Sequence, residues 1–306
     1  MTREPVTPEL RQLRYFVAAA EEGSLTRAAA RLHIAQQSLS QQIRSLERQV
    51  GAALLVRGSH GVTLTAAGTA LLRESRVLLT QAERAIDAAR LAARGDRSPL
   101  RVGFLVTVAN YLMPPVVRTV RERFPHIAVR AEDLPIAALV AGLREGRLDA
   151  ALTRPPLVDD LESEVVLREP VAAVLPVGHR LAGRDELRMA DLAAEPWVLT
   201  PDRSWPPWHR KYEADFRRAG FSPRIVERGT SPQGLLALVA AGVGVTRLPC
   251  SSRSLRDSGV VFVPLADDEA EVVLVRRAGA PPPPAFEALR QVVHDVARTT
   301  DLAATG

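Results

Sequence analysis

Residues 24–57, SLTRAAARLHIAQQSLSQQIRSLERQVGAALLVR, limit most tightly what this chain can fold into. Leu25, Ala28, Ala29 and Leu32 fall at helical spacing, and Ser24 stands as an N-cap whose hydroxyl can accept from a free N–H. After a break at 33–35, Leu39, Ile43, Leu46 and Val50 resume the helical period until Gly51 stops it. Two short helices around a tight turn form a helix-turn-helix. Its second helix buries one face and offers short hydrogen-bonding side chains on the other. Here the second face carries Gln36, Gln37, Ser38, Ser40, Gln41 and Arg44. Gln pairs with N7 and N6 of adenine, Arg with both acceptors of guanine, and Ser with either. The competing reading is an ordinary amphipathic helix pair with a solvated polar face.

The flanks support the first reading. Leu10, Leu13, Phe16, Val17 and Ala20 make an amphipathic helix ending at Gly23. Downstream, LLVRGSHGVTLT reads as a hairpin, the wing of a winged helix. Arg57 and His60 sit on it, beside the helix that would enter the major groove. Phosphate contact is favoured for Arg57, whereas for His60 a groove contact and a solvated loop charge stay level. The run FVAAAEEGSLTRAAARL, then AQQSLSQQIRSLE, GAALLVR and LTAAG, resembles the amino-terminal domain of LysR-type transcriptional regulators. The resemblance implies promoter DNA as a partner, met by Ser24, Gln36, Gln37, Ser38, Ser40, Gln41, Arg44, Arg57 and His60. RNA polymerase is a further candidate partner. Gln37 replaces the usual proline of that family and Gln41 a common arginine, so a different operator and a weaker phosphate contribution are expected.

At 306 residues the chain has room for two or three compact units. Hydrophobic content of 46% with 25% charged residues describes a folded protein. No window approaches the roughly 18 apolar residues of a membrane helix. MTREPVTP lacks an apolar core or cleavage site, so no export signal is expected and the cytoplasm is the expected compartment. Cys250, the single cysteine, suits a reducing compartment and reads as a small core residue, with a redox sensor as the sharper alternative. The net charge of +5 matters less than its distribution. Up to residue 60, Arg3, Arg11, Arg14, Arg27, Arg31, Arg44, Arg48 and Arg57 outnumber Glu4, Glu9, Glu21, Glu22 and Glu47.

Residues 66–94 read as one long helix. Leu71, Leu78, Ala85 and Ala92 recur every seven residues, as do Leu72, Leu79, Ile86 and Ala93. That seam is wider than one isolated helix uses, so a second copy of the chain is its expected partner, giving a homodimer or homotetramer. Packing along its own body is the alternative. The expected organisation is a DNA-binding domain over 1–65, a linking and dimerising helix over 66–94, and an effector-binding domain over 99–306. Lobe I of that last domain takes approximately 99–169 and 271–306, and lobe II approximately 170–270.

From Leu100 strands and helices alternate, which predicts a parallel α/β sheet. RVGF, LMPPVVRTVRERFPHI, LREGRLDAAL, VGHRLA and LVAAGVGVTRLP resemble the effector-binding domain of the same regulators. The fold class is thus α/β with an N-terminal all-α winged helix-turn-helix and a two-lobed effector domain like the periplasmic solute-binding proteins. In open α/β folds ligands sit beyond the carboxyl ends of strands, near helix N-termini. Thr107, Arg154, Thr200, Thr230 and Ser231 fall at such places, and Trp208, with Trp205 nearby, offers an aromatic wall. Capping competes with ligand contact for the small hydroxyl residues. Plain packing competes for Trp208. Arg154 closes a buried strand and asks for an anion, either an effector carboxylate or an Asp or Glu of this chain. Thr107, Arg154 and Trp208 match effector-pocket positions of regulators of aromatic-compound breakdown. Pro135 departs from that pattern, so the expectation stops at a small, carboxylated effector, with an aromatic ring left open.

An enzyme and a transport-type binding protein are the competing classes. His33, His60, His126, His179, His209 and His294 show no metal-ligand spacing, so neither a metal nor a cofactor is expected. G-x-S-x-G, P-loop and G-x-G-x-x-G motifs are missing from the sequence. Asp159-Asp160 and Asp267-Asp268-Glu269 read as solvated loop runs. A transport protein would not carry residues 1–94.

Overall fold

The computed structural model describes residues 7–58, 61–94, 98–256, 258–279 and 281–300. The chain divides into two compact units, one reaching Ser98 and the other, apart from 144–147, running from Pro99 onward.

The first unit holds α1 (Leu10–Glu22), α2 (Leu25–Arg31), α3 (Gln36–Val50), the hairpin β1 (Leu55–Gly58) and β2 (Gly61–Leu64), and α4 (Ala66–Ala92). Local signals set its boundaries. Gly23 and Gly51 close α1 and α3 in the left-handed region, at φ 57° and 77°. Ser24 caps α2, its hydroxyl accepting from Arg27 N at 3.4 Å. Leu13, Phe16, Ala28, Leu39, Ile43, Leu46 and Leu54 fill the core. Leu10 and Val50, read as part of the apolar faces, lie at helix ends and are exposed. Glu47 Oε1 accepts from Leu54 N at 2.9 Å and Leu55 N at 3.2 Å, which fixes the entry to the wing. Gly61 has φ 120°, and a Cβ there would meet Gly23 O at 2.2 Å, so the hairpin seats on the α1–α2 turn only with glycine. His60 lies outside the described residues.

The α4 seam splits. Leu71, Leu72 and Leu79 pack on the helix-turn-helix core, so this part serves its own body. Leu78 and Ile86 remain 50% and 55% exposed, and only they and their neighbours offer an apolar surface to a second chain.

The second unit runs β3 (Leu100–Leu105), α5 (Val106–Arg123), β4 (Val129–Leu134), α6 (Ile136–Arg144), β5 (Ala150–Thr153) and β6 (Leu161–Pro176). Then come β7 (Pro196–Leu199), α7 (Pro206–Arg218), β8 (Arg224–Arg228), α8 (Pro232–Ala240), β9 (Thr246–Pro249), β10 (Val260–Arg277) and α9 (Phe286–Thr299). The main sheet has the order β4-β3-β5-β10-β6-β9, and β7 and β8 form a second parallel pair. Only β3 with β4 and β5 is parallel in the main sheet; β10, β6 and β9 pair antiparallel. The sheet is therefore mixed where a parallel one was expected.

The reason is the length of β6 and β10. The sequence pattern marks as strand only 171–176 of β6 and the separate runs 260–265 and 271–277 of β10, yet the two pair with each other from Val260↔Pro176 to Arg277↔Leu161, with register shifts between Pro264 and Glu269 and between Val272 and Val273. Each long strand satisfies the backbone groups of the other, which isolated short segments would leave open. The two strands run through both lobes. One apolar core gathers on Phe104, Leu112, Leu139 and Leu152, and another on Trp197, Phe216 and Leu175.

Two further expectations change. The sequence pattern marks a helix over 112–124, ending before Pro125; α5 begins earlier, at Val106, and contains Pro114 and Pro115. Burial of Val108, Tyr111, Leu112, Val116 and Val120 on one face outweighs the hydrogen bonds the prolines remove. Asp267, Asp268 and Glu269 were expected as a solvated loop run; Asp267 and Glu269 are exposed, but none of the three is in a loop and Asp268 is covered. They lie on β10, where Asp267 accepts from Met189 N and the Asp268 side chain is 8% exposed against Arg247.

Candidate DNA-binding face and effector site

The helical period places Gln36, Gln37, Ser38, Gln41 and Arg44 on the exposed side of α3, as the sequence predicts. Ser40 does not belong with them. It is 5% exposed, so it sits beneath the surface that would meet a base edge. Its Oγ accepts from Arg44 Nη2 at 3.1 Å and from Arg57 Nη1, on the wing, at 3.1 Å. Leu39 and Ile43 anchor the opposite side of α3 in the core, which forces position 40 to the boundary.

Several other arginines of this unit are engaged, whereas Arg14 on α1 and Arg48 on α3 meet no carboxylate among the described residues. Arg27 reaches Glu22, and Arg31 and Arg76 both reach Glu21. Burial pulls the Glu21 carboxyl up, but those hydrogen bonds and charges hold it below its ordinary range. Arg44 and Arg57 have no carboxylate partner among the described residues. What both touch is the neutral hydroxyl of Ser40.

In the second unit the charges are buried and matched. Arg154 follows β5 and is 7% exposed. It pairs with Glu169 of β6, whose side chain is fully buried, and its Nε donates to Thr107 Oγ1 at 3.4 Å in the first turn of α5. Tyr111, one turn further along, donates to Glu169 Oε1 at 2.8 Å, and Ser251 N donates to Glu169 Oε2 at 3.0 Å. Burial, then the Glu169 charge, push the Tyr111 hydroxyl well above the ordinary phenol range against the pull of Arg154. The anion that Arg154 asks for is thus supplied within the chain. One guanidinium nitrogen, Nη1, stays buried without a protein partner.

The other predicted effector residues lie apart from this pair. Thr200 ends β7; its Oγ1 is 3.4 Å from His209 Nε2 and its carbonyl accepts from Arg228 Nη1 at 2.6 Å. Thr230 is exposed just beyond β8, and Ser231 caps α8, accepting from Gly234 N at 3.0 Å. Thr200 and Thr230 therefore share the carboxyl ends of two paired parallel strands. Trp208 packs on the core built around Phe104 and Leu152, and Trp205 donates to Pro156 O at 3.0 Å. A cavity of about 460 Å³ opens between Pro155, Pro156 and Leu157 on one side and Pro207, Arg210 and Lys211 on the other. A smaller one, about 220 Å³, lies along Tyr212, Phe216 and Phe221. Neither is lined by the predicted residues themselves; the larger is flanked in sequence by Arg154 and Trp208.

Sequence reasoning missed Tyr111, Glu169 and Arg247. Tyr111 is four residues from Thr107 on one helix, a spacing that shares a face. Glu169 carries no local signal. Arg247, expected only as part of a strand, is buried between Asp215 and Asp268 and stacks over Tyr212 at 4.6 Å. Burial raises the Asp268 carboxyl despite Arg247, while Asp215 is held low by Lys211 and Arg247 against its own burial.

Comparison with known proteins covers both units. Residues 10–69 match the model of the bacterial regulatory helix-turn-helix protein, lysR family, and residues 93–298 match the LysR substrate binding domain. The regulator AlsR of Bacillus subtilis is 35% identical over 83% of this chain and 84% of its own. The Hca operon transcriptional activator HcaR of Escherichia coli is 37% identical over 87% and 90%. The crystal structure of CbnR, a LysR family transcriptional regulator, is similar with a TM-score of 0.69 at 28% identity, over 96% of this chain and 100% of that one. Full-length CbnR complexed with its target DNA gives 0.68 at 28% identity, over 94% and 99%.

Proposed function

This chain belongs to the LysR family of transcriptional regulators, and from that premise we propose how its residues divide the work. It is a DNA-binding regulator, not an enzyme, with an effector-binding domain. Base edges are read by Gln36, Gln37, Ser38 and Gln41, with Arg44 and Arg57 supplying positive charge beside them. Ser24 caps the helix that braces α3. Two copies join along the exposed part of α4 and offer two recognition helices to paired half-sites. The observation that supports this reading is the exposed polar face of α3, where Arg44 and, from the wing, Arg57 meet a hydroxyl and no carboxylate among the described residues.

The effector is a small carboxylated molecule held between the lobes. The unpartnered Nη1 of Arg154, the basic rim of Arg210 and Lys211, and a cavity of ligand size support that class. Thr107, Thr200, Trp208, Thr230 and Ser231 complete the proposed site, and an aromatic acid suits Trp208. The domain limits are those expected from sequence: 1–65, 66–94 and 99–306. No helix among the described residues is long and apolar enough to cross a membrane; promoter binding places the protein in the cytoplasm. The effector acts only through its different affinity for two lobe arrangements, which alter the spacing of the DNA-binding heads.

The test uses the duplex upstream of the protein's own gene with a panel of carboxylic acids. Gln36→Ala weakens binding roughly ten- to a hundredfold, the loss of one bidentate base contact, and leaves acid binding intact. Arg154→Lys, which keeps a cation for the buried Glu169 but loses the guanidinium fork, leaves DNA binding without acid unchanged and abolishes the response. Should Arg154→Lys respond normally while Gln36→Ala loses acid binding, the division of labour is wrong.

A further inference from the structure

Ser40 is buried, yet both of its hydrogen bonds come from exposed arginines: Arg44 one turn along α3, and Arg57, seventeen residues away on the wing. A hydroxyl oxygen has two lone pairs, and here each takes one guanidinium. Like charges converging on one neutral atom repel, and neither arginine has a carboxylate among the described residues to offset this. Nearby, Arg27, Arg31 and Arg76 all have one. We infer that Ser40 is a positioning residue that draws the recognition-helix and wing arginines onto a single backbone phosphate, so that Arg44 holds the backbone and does not read a base.

The chemistry of the two possible targets separates them. A guanine edge presents O6 and N7 in one plane, and one guanidinium occupies both. A second cation beside it gains no acceptor. A phosphate carries a full negative charge and exposed oxygens that accept from two planar forks, which also cancels their mutual repulsion. Sequence choice then rests with Gln36, Gln37, Ser38 and Gln41, and the wing is tied to α3 through the bound phosphate as well as through Ser40. This inference rests on α3 being the DNA-facing helix.

The experiment measures binding of the full-length protein to the duplex upstream of its own gene and to a mixed-sequence duplex, across a salt series. Arg44→Ala and Arg57→Ala each weaken both duplexes alike, by roughly ten- to a hundredfold for a lost charge-assisted contact. Each leaves the other guanidinium on the phosphate and so lowers the slope of log affinity against log salt by less than about one per subunit. The double variant lowers it by about one, not two, because one phosphate is shared. Ser40→Ala keeps both charges and weakens both duplexes by roughly threefold to tenfold. In its background the coupling between Arg44 and Arg57 disappears, while Ser40→Thr, which retains the hydroxyl, restores it. Removing the hydroxyl frees only exposed guanidiniums, so the fold is kept. A slope change of about two per subunit in the double variant, a relaxed preference for the native duplex in Arg44→Ala, or unchanged coupling in Ser40→Ala overturns the shared contact alone. Failure of the unaltered protein to bind either duplex at low salt overturns the DNA-facing reading of α3, and the shared contact with it.

Discussion

Two pairs of arginines, one pair in each unit, live under opposite conditions. Arg44 and Arg57 are exposed, face a neutral hydroxyl and keep their charge uncompensated. Arg154 and Arg247 are buried, and each meets carboxylates of its own chain. A buried charge must be matched internally or the fold fails, because desolvation is costly without a partner. An exposed charge is tolerated by water and stays available to a polyanion. The same residue type thus serves structure where it is buried and is proposed for recognition where it is exposed and unmatched.

Three measurements break or sharpen that contrast. The largest effect belongs to Arg247→Ala, which leaves the Asp268 side chain, 8% exposed, without its cation and Asp215 with only Lys211 and Arg218. Removing one partner of such a buried group costs about 3–5 kcal/mol. Trp197, Trp205 and Trp208, all the tryptophans of the chain, lie in the second unit, so urea unfolding followed by tryptophan fluorescence reports on it alone. A loss below about 1 kcal/mol would place Arg247 with the solvated surface pairs.

The next effect is acid sensitivity. Burial raises the Asp215 carboxyl, but Lys211 and Arg247 outweigh it and hold the pKa below its ordinary value. A carboxylate lower in the folded than the unfolded state adds stability above the unfolded pKa and loses it as pH falls through the folded one. Below about pH 4, the Tm of the wild-type second unit therefore falls more steeply than that of Asp215→Asn. Parallel Tm curves would remove Asp215 from the account.

The smallest effect is the stability change in Arg44→Ala and Arg57→Ala. Both side chains are exposed and free of carboxylates, so thermal unfolding of the first unit by circular dichroism shifts by less than about 0.5 kcal/mol. A change as large as that of Arg247→Ala would mean that these arginines hold the helix-turn-helix together, and the contrast would collapse.

Legibility from sequence followed the same division. In the first unit the readable marks were local: Gly23 and Gly51 ending helices, Ser24 capping one, apolar residues three and four apart. Most exposed candidates on α3 were found this way. Ser40 was misplaced because helical phase alone put it beside Gln41; the packing of Leu39 and Ile43 and the approach of the wing decide that it is covered. In the second unit the strand and helix segments were visible, but β6 and β10 looked like separate short strands. Their continuity depends on pairing with each other across about a hundred residues of intervening chain.

What the sequence determined by itself was the winged helix-turn-helix, the long following helix, the α/β character of the rest and membership of its family. These depend on energies acting within a turn or two of the chain, where spacing and caps suffice. Only the tertiary structure decided that Arg154 already has Glu169, that Asp268 is buried against Arg247, and that Leu71, Leu72 and Leu79 are taken while Leu78 and Ile86 are not. Each of those outcomes is a partnership between residues far apart in sequence. Charge burial and side-chain packing are settled by which surfaces meet, and no local pattern carries that information.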